Sequence, residues 1–148
     1  VKISVKGRYG LAVMISMAQN YESKEHITVM SLAGKLGFSK IYLEQVFSLI
    51  KRAGLVTSIK GAQGGYQLAK EPKLITVYDI LSAIESSIFE KADETVTEKA
   101  NNIEQAMQKS AFDMLDNAVE KTLKSITLSN LVNEAEIYKS QDGFMFFI

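Results

Sequence analysis

Gly54-Leu55-Val56-Thr57-Ser58-Ile59-Lys60-Gly61-Ala62-Gln63-Gly64-Gly65-Tyr66-Gln67-Leu68-Ala69 reads as two short strands joined by a glycine-rich loop, with Lys60 putting a cation at the tip. Gly61, Gly64 and Gly65 permit φ > 0 and close backbone approach, as a tight hairpin on a sugar-phosphate surface requires. Tyr66 and Leu68 alternate with Gln67 at strand period, so one side of the hairpin can anchor on helices. A glycine-rich loop can also cradle a nucleotide phosphate. Residues 61–65 match neither the Walker nor the dinucleotide pattern, however, and no helix opens directly after Gly65. The hairpin is read as a wing.

The segment upstream gives the wing its setting. Thr28 to Leu36 carries Val29, Leu32, Ala33 and Leu36 at i, i+3, i+4 and i+7, and Gly37 ends it as a left-handed C-terminal residue can. Ser39 restarts the chain as an N-cap, with Phe38 and Leu43 at the positions of a hydrophobic staple. Helix, glycine turn and helix in this order are a helix-turn-helix. The second helix, about residues 40–52, buries Leu43, Val46, Phe47 and Ile50 and turns Lys40, Glu44, Gln45, Ser48, Lys51 and Arg52 outward. A solvated face would account for these polar residues by themselves, with Lys51 and Arg52 complementing the helix dipole. A basic hairpin directly behind the helix favours groove reading. Before this unit, residues 8–20 are apolar enough to form a mostly buried support helix.

Beyond Pro72, the only proline, Thr76 and Asp79 form a capping-box pair opening a short helix to about Glu85, and residues 86–94 read as a connecting loop. Thr95-x-x-Glu98 suggests another box, opening a long helix over about residues 95–126. Its start falls later if Asn101 and Asn102 resist helix formation. Ile103, Met107, Ala111, Met114, Leu115 and Ala118 lead its apolar stripe, which is longer than one small domain covers; a second copy is the economical partner. Packing back on its own domain is the alternative. Thr127 to Leu131 reads as the cap of a short final helix, and Asp142-Gly143 as the opening of an apolar tail, Phe144-Met145-Phe146-Phe147-Ile148. Such a tail is either docked in a core or interface or serves as a handle for a partner.

The fold class expected is mainly α with a small β-hairpin wing (α+β), a winged helix-turn-helix plus a long dimerisation helix. Residues 1–72 form the DNA-binding domain and 73–148 the dimerisation region. The 148 residues allow such a compact unit with an oligomerisation element. Net charge is zero, yet residues 1–72 hold ten Lys/Arg against four Asp/Glu, a balance of +6, and residues 73–148 hold seven against thirteen, a balance of −6. The basic half carries the charge that nucleic acid attracts. There is no cysteine, so thiolate nucleophiles, disulfides and cysteine-ligated clusters are excluded. No apolar run approaches a membrane span and no signal-peptide order is evident, so a cytoplasmic protein is expected. His26, the only histidine, falls in a polar loop, and Glu134 and Glu136 have no metal-ligand pattern. Neither a catalytic site nor a metal site is expected.

With Lys6-Gly7-Arg8-Tyr9-Gly10-Leu11, Ser39-x-x-Tyr42-Leu43-Glu44-Gln45, Ala53-Gly54-Leu55-Val56 and Gly61-x-x-Gly64-Gly65-Tyr66-x-Leu68, nearly the whole chain resembles the Rrf-two (Rrf2) family of bacterial winged-helix transcription regulators. The resemblance implies that Glu44 and Gln45 face base edges in the major groove. Lys60, with Gly61 and Gly64, would enter the minor groove, less strongly than the Arg of many relatives. Lys6, Arg8, Tyr9, Lys40, Lys51 and Arg52 would meet phosphates, with Ser39, Tyr42 and Ser48 in the same surface. Cluster-binding members place three cysteines after the residue 76 helix. Residues 86–110 contain none, so no iron-sulfur cofactor is expected. The start from Lys2 to Leu11 and the Met-Phe-Phe-Ile end resemble the family's cysteine-metabolism repressors. That implies repression of sulfur genes in complex with cysteine synthase, with Phe147 and Ile148 as the partner-binding end. The other readings are a cluster-free regulator with a different regulon and effector, and a coiled-coil interaction protein that does not bind DNA.

Overall fold

The computed structural model describes residues 1–61 and 64–146. Among the described residues, seven α-helices and one hairpin follow in the order α1 (Val5–Gln19), α2 (Val29–Leu36), α3 (Lys40–Arg52), β1 (Val56–Ile59), β2 (Gly65–Leu68), α4 (Val77–Ile84), α5 (Asn101–Met107), α6 (Asp113–Lys124) and α7 (Leu128–Phe146). The fold class is the expected one, mainly helical with an antiparallel two-stranded wing. Among the described residues no helix is long and apolar enough to cross a membrane.

Side-chain caps set most boundaries of the first half. Ser4 accepts from the Gly7 N–H at 3.0 Å, so α1 begins at Val5, three residues before the expected start, and Lys6 and Arg8 lie in its first turns. Thr28 caps α2 through Ser31 N–H, Gly37 ends it at φ 74°, and Ser39 accepts from Tyr42 N–H at 3.2 Å to start α3. The helix-turn-helix is thus held at both sides of its turn by local bonds. Gly10 lets α1 lie directly on α4, because a Cβ there would come within 1.7 Å of Ile84 Cδ1.

One continuous core takes Val13, Met14 and Met17 from α1, Leu43, Val46, Phe47 and Ile50 from α3, Ile80 and Ile84 from α4, and Leu128 from α7. The core therefore crosses residue 72, and α7 returns to pack on α1. Thr76 pairs with Thr127 in an isolated bridge, with Val77 N–H donating to Ile126 O and Leu128 N–H to Ile75 O, both at 2.9 Å. Two capping boxes sit at that seam, Thr76 with Asp79 and Thr127 with Asn130.

The second half corrects three expectations. Residues 86–89 form a 3₁₀ turn and the chain is irregular to Ala100, so the long helix starts at Asn101, not near 95. The Thr95 hydroxyl serves no capping box with Glu98; it donates to Glu104 Oε2 at 3.1 Å. The long helix is also interrupted by a π turn, Gln108–Phe112, which shifts the phase of the apolar stripe. Finally, α7 runs 19 residues, far longer than the short helix expected. Asp142-Gly143 does not break it: a helical glycine costs only about 1 kcal/mol, too little to end a helix already in register.

Candidate nucleic-acid interface

The outward residues of α3 are exposed, as its period requires: Lys40, Glu44, Gln45, Ser48, Lys51 and Arg52 all lie on the surface. Lys6, from the first turn of α1, reaches the same place. It lines one shallow depression with Ile41, Glu44, Gln45, Ser48 and Leu49. Lys40 Nζ stands 4.0 Å from Glu44 Oε1 with both side chains more than half exposed, an ion pair worth little in water and easily exchanged. Arg8 is exposed on α1, and Lys60 is exposed at the end of β1.

Ser39 is exposed at the start of α3, and Tyr9 and Tyr42 are half-buried. The Ser39 hydroxyl oxygen accepts the Tyr42 N–H as the cap of α3. Tyr9 stacks on Phe38 at 3.9 Å and meets Tyr42 edge-on at 5.2 Å, so its ring joins the start of α1 to the turn of the helix-turn-helix. Burial pushes the Tyr42 hydroxyl up from its ordinary pKa, with Tyr9 and Glu85 adding to the shift, so the phenol keeps its proton at neutral pH.

The wing is fixed to α3 by Phe47, whose ring stacks on Tyr66 at 4.2 Å. Val56 pairs with Leu68 and Ile59 with Gly65 across the hairpin. Ile27 forms an isolated bridge to Tyr66, exchanging backbone bonds at 2.8 and 2.9 Å. Of the three loop glycines only Gly61 takes positive φ, 129°. Gly64 and Gly65 are needed for closeness: a Cβ would lie 2.7 Å from Ile59 O or 2.8 Å from Ile27 O. Ala62 and Gln63 lie outside the described residues.

The stripe of the long helix divides between two faces. Val119 and Leu123 turn inward, lining a cavity of about 290 Å³ with Tyr78, Ile88 and Phe89. Lys124 helps close that joint, 2.8 Å from Glu120 and 4.7 Å above the Tyr78 ring. Ile103, Met114 and Leu115 remain 53%, 65% and 54% exposed, Ala111 and Ala118 are exposed, and Met107 is half-buried. Phe112, outside the expected stripe, is also exposed, and the π turn at 108–112 sets its phase. Phe147 and Ile148 lie outside the described residues.

Glu104 is the one charged side chain buried among the described residues, 6% exposed. Its carboxylate accepts from Val96 N–H, Thr95 N–H and the Thr95 hydroxyl at 3.1–3.2 Å, tying the irregular 90–100 segment to α5. The Val96 N–H, opposed by burial and joined by the Thr95 donors, holds the carboxyl below its ordinary pKa. A carboxyl depressed in the fold stabilises it above the unfolded value, about 4.3, and that contribution is lost as pH falls through the folded value. Glu104→Gln is expected to lower the melting temperature at pH 7, with the gap from the parent closing as pH drops below the carboxylate range. Thermal melts from pH 7 to pH 3 check this, and a gap independent of pH would contradict it.

The chain matches the Rrf2 family model, described as an iron-dependent transcriptional regulator, over residues 3–134. It is 36% identical over 148 residues to the HTH-type transcriptional regulator CymR of Bacillus subtilis (strain 168), covering 100% of both chains. The solved structure of CymR, the global cysteine regulator of B. subtilis, superposes with a TM-score of 0.70 at 36% identity, covering 90% of this chain and 98% of that one. T. potens IscR superposes with a TM-score of 0.70 at 38% identity, covering 91% and 88%. The iron of the family description finds no fitting donor set here. The chain has no cysteine, both oxygens of Glu104 are engaged by Thr95 and Val96, and no metal-holding group of His, Asp and Glu forms among the described residues. Helix-turn-helix, wing and long helix in this order, with the match along the chain, make it a member of the Rrf2 family of transcriptional regulators.

Proposed function

We propose that the chain is a homodimeric DNA-binding repressor of cysteine and sulfur-metabolism genes, acting through a complex with cysteine synthase. The observation that carries the DNA-reading part is the shared surface of α1 and α3, where Lys6, Glu44, Gln45 and Ser48 line one depression with the wing pinned behind it by Phe47 and Tyr66. Residues 1–72 carry the DNA-reading elements and 73–148 the dimerisation helix, over one shared core. Glu44 accepts from a cytosine amino group and Gln45 serves an adenine. Lys6, Arg8, Lys40, Lys51 and Arg52 hold phosphates while Lys60 enters the minor groove beside Gly61 and Gly64. Such a protein works in the bacterial cytoplasm, beside the chromosome.

Likeness along the full chain to CymR, a protein named as the global cysteine regulator of its organism, supports this regulon. Phe147 and Ile148 are the proposed contact with cysteine synthase. The test is selection of genomic fragments bound by the protein with and without that enzyme. Enrichment upstream of sulfur genes that grows with the enzyme is the expected result. Enrichment elsewhere would overturn the regulon, and an enzyme effect unchanged by deleting Phe147 and Ile148 would overturn the role of the tail.

A further inference from the structure

Ile41 is the second residue of α3 and is 72% exposed. The buried stripe of that helix is Leu43, Val46, Phe47 and Ile50. At about 100° per residue, Ile41 points nearly opposite this stripe, between Glu44 and Ser48 on one side and Gln45 on the other. It lines the same depression as those three residues and Lys6. A β-branched apolar residue at this place adds nothing to the core and is a poorer helix former than Lys or Glu. Its apolar surface is covered only if something apolar meets the outer face of α3.

On major-groove base edges the apolar group is the thymine C5-methyl, and recognition helices present the residues of their N-terminal turns to those edges. We infer that Ile41 is a specificity-determining residue that reads a thymine methyl. The inference rests on the DNA-reading role proposed above and adds a base to it. Ile41 and Glu44 are three residues apart, about 5–6 Å between Cβ atoms, and base pairs are spaced by about 3.4 Å. The thymine therefore lies within one or two base pairs of the cytosine read by Glu44.

The test uses the full chain and a duplex selected from genomic fragments, with each thymine of one half-site replaced in turn by deoxyuridine, which removes only the methyl. The parent protein is expected to lose about three- to fivefold in affinity at one position. Ile41→Ala should bind the unmodified duplex more weakly by a similar factor and be indifferent to deoxyuridine at that position. Because the side chain is exposed, its melting temperature should stay at the parent value. An equal deoxyuridine penalty in both proteins, or no sensitive thymine in the parent, overturns the role of Ile41 and leaves the DNA-reading role standing. Failure to select any specific duplex overturns both.

Discussion

Phe47→Ala should cost about 3–5 kcal/mol of folding stability, the range for truncating a large buried aromatic. The ring is fully buried and lies on Tyr66 at 4.2 Å, so it joins α3 to the second strand of the wing. A domain's whole stability is about 5–15 kcal/mol, and at this chain length the loss corresponds to a fall of about 10–20 °C in melting temperature. Since dimerisation would link melting to concentration, both proteins are compared at one concentration. Phe47→Leu keeps most of the apolar volume and should cost under about 2 kcal/mol. In the cold, where Phe47→Ala is still folded, the loosened wing should also weaken DNA binding. Unchanged melting in Phe47→Ala would mean that the stack does not join wing to helix.

The second large effect is expected on the long helix. From Asn101 to Lys124 it spans 24 residues, about 36 Å at 1.5 Å per residue, and leaves Ile103, Phe112, Met114 and Leu115 exposed. If a second copy covers this surface, a carboxylate in its middle is buried without a partner and the pair separates. Met114→Asp should sediment as a monomer at concentrations where the parent is a dimer. A monomer engages a single half-site, so operator affinity should fall on the order of a hundredfold or more. Ile103→Asp, at the far end of the helix and away from the cavity at Leu115, should do the same with little change in fold. Dimers persisting in both variants would place the interface elsewhere.

The first half of the molecule was legible because its boundaries are made by neighbours in sequence. Thr28, Gly37, Ser39 and the Thr76–Asp79 box each act within three or four residues, and each appears in the structure. The wing was legible from its glycines and the alternation of Tyr66, Gln67 and Leu68, which the burial pattern repeats. What escaped reading acts across distance. The Ile27–Tyr66 and Thr76–Thr127 bridges are single rungs without period. Lys35 looks like a solvated cation at a helix end but donates to the buried Ser16 at 2.8 Å. Thr95-x-x-Glu98 has the form of a capping box, yet Glu104, nine residues from Thr95, outcompetes it with a carboxylate that takes three donors.

The same limit applies at the candidate interface. Periodicity finds the polar face of α3, and with it Glu44, Gln45 and Ser48, but a search for polar residues on that face passes over the apolar Ile41. The available signal was angular: Ile41 sits on the side of the helix farthest from Leu43 and Ile50. Phe112 was missed for a related reason, since the π turn at 108–112 changes the phase that a regular 3.6-residue count assumes. Tyr9, an expected phosphate contact, also packs its ring against Phe38 and Tyr42, which its place in a basic motif does not reveal.

The most direct measurement is a salt titration of binding to a selected genomic duplex and to a scrambled duplex of equal length. Several phosphate contacts from Lys6, Arg8, Lys40, Lys51, Arg52 and Lys60 predict that log affinity falls steeply and linearly with log salt for both duplexes. A preference for the selected duplex should persist across the range and shrink in Glu44→Ala, which removes base reading and keeps the phosphate cations. A shallow salt slope with no preference between the duplexes would contradict DNA reading by α3 and the wing.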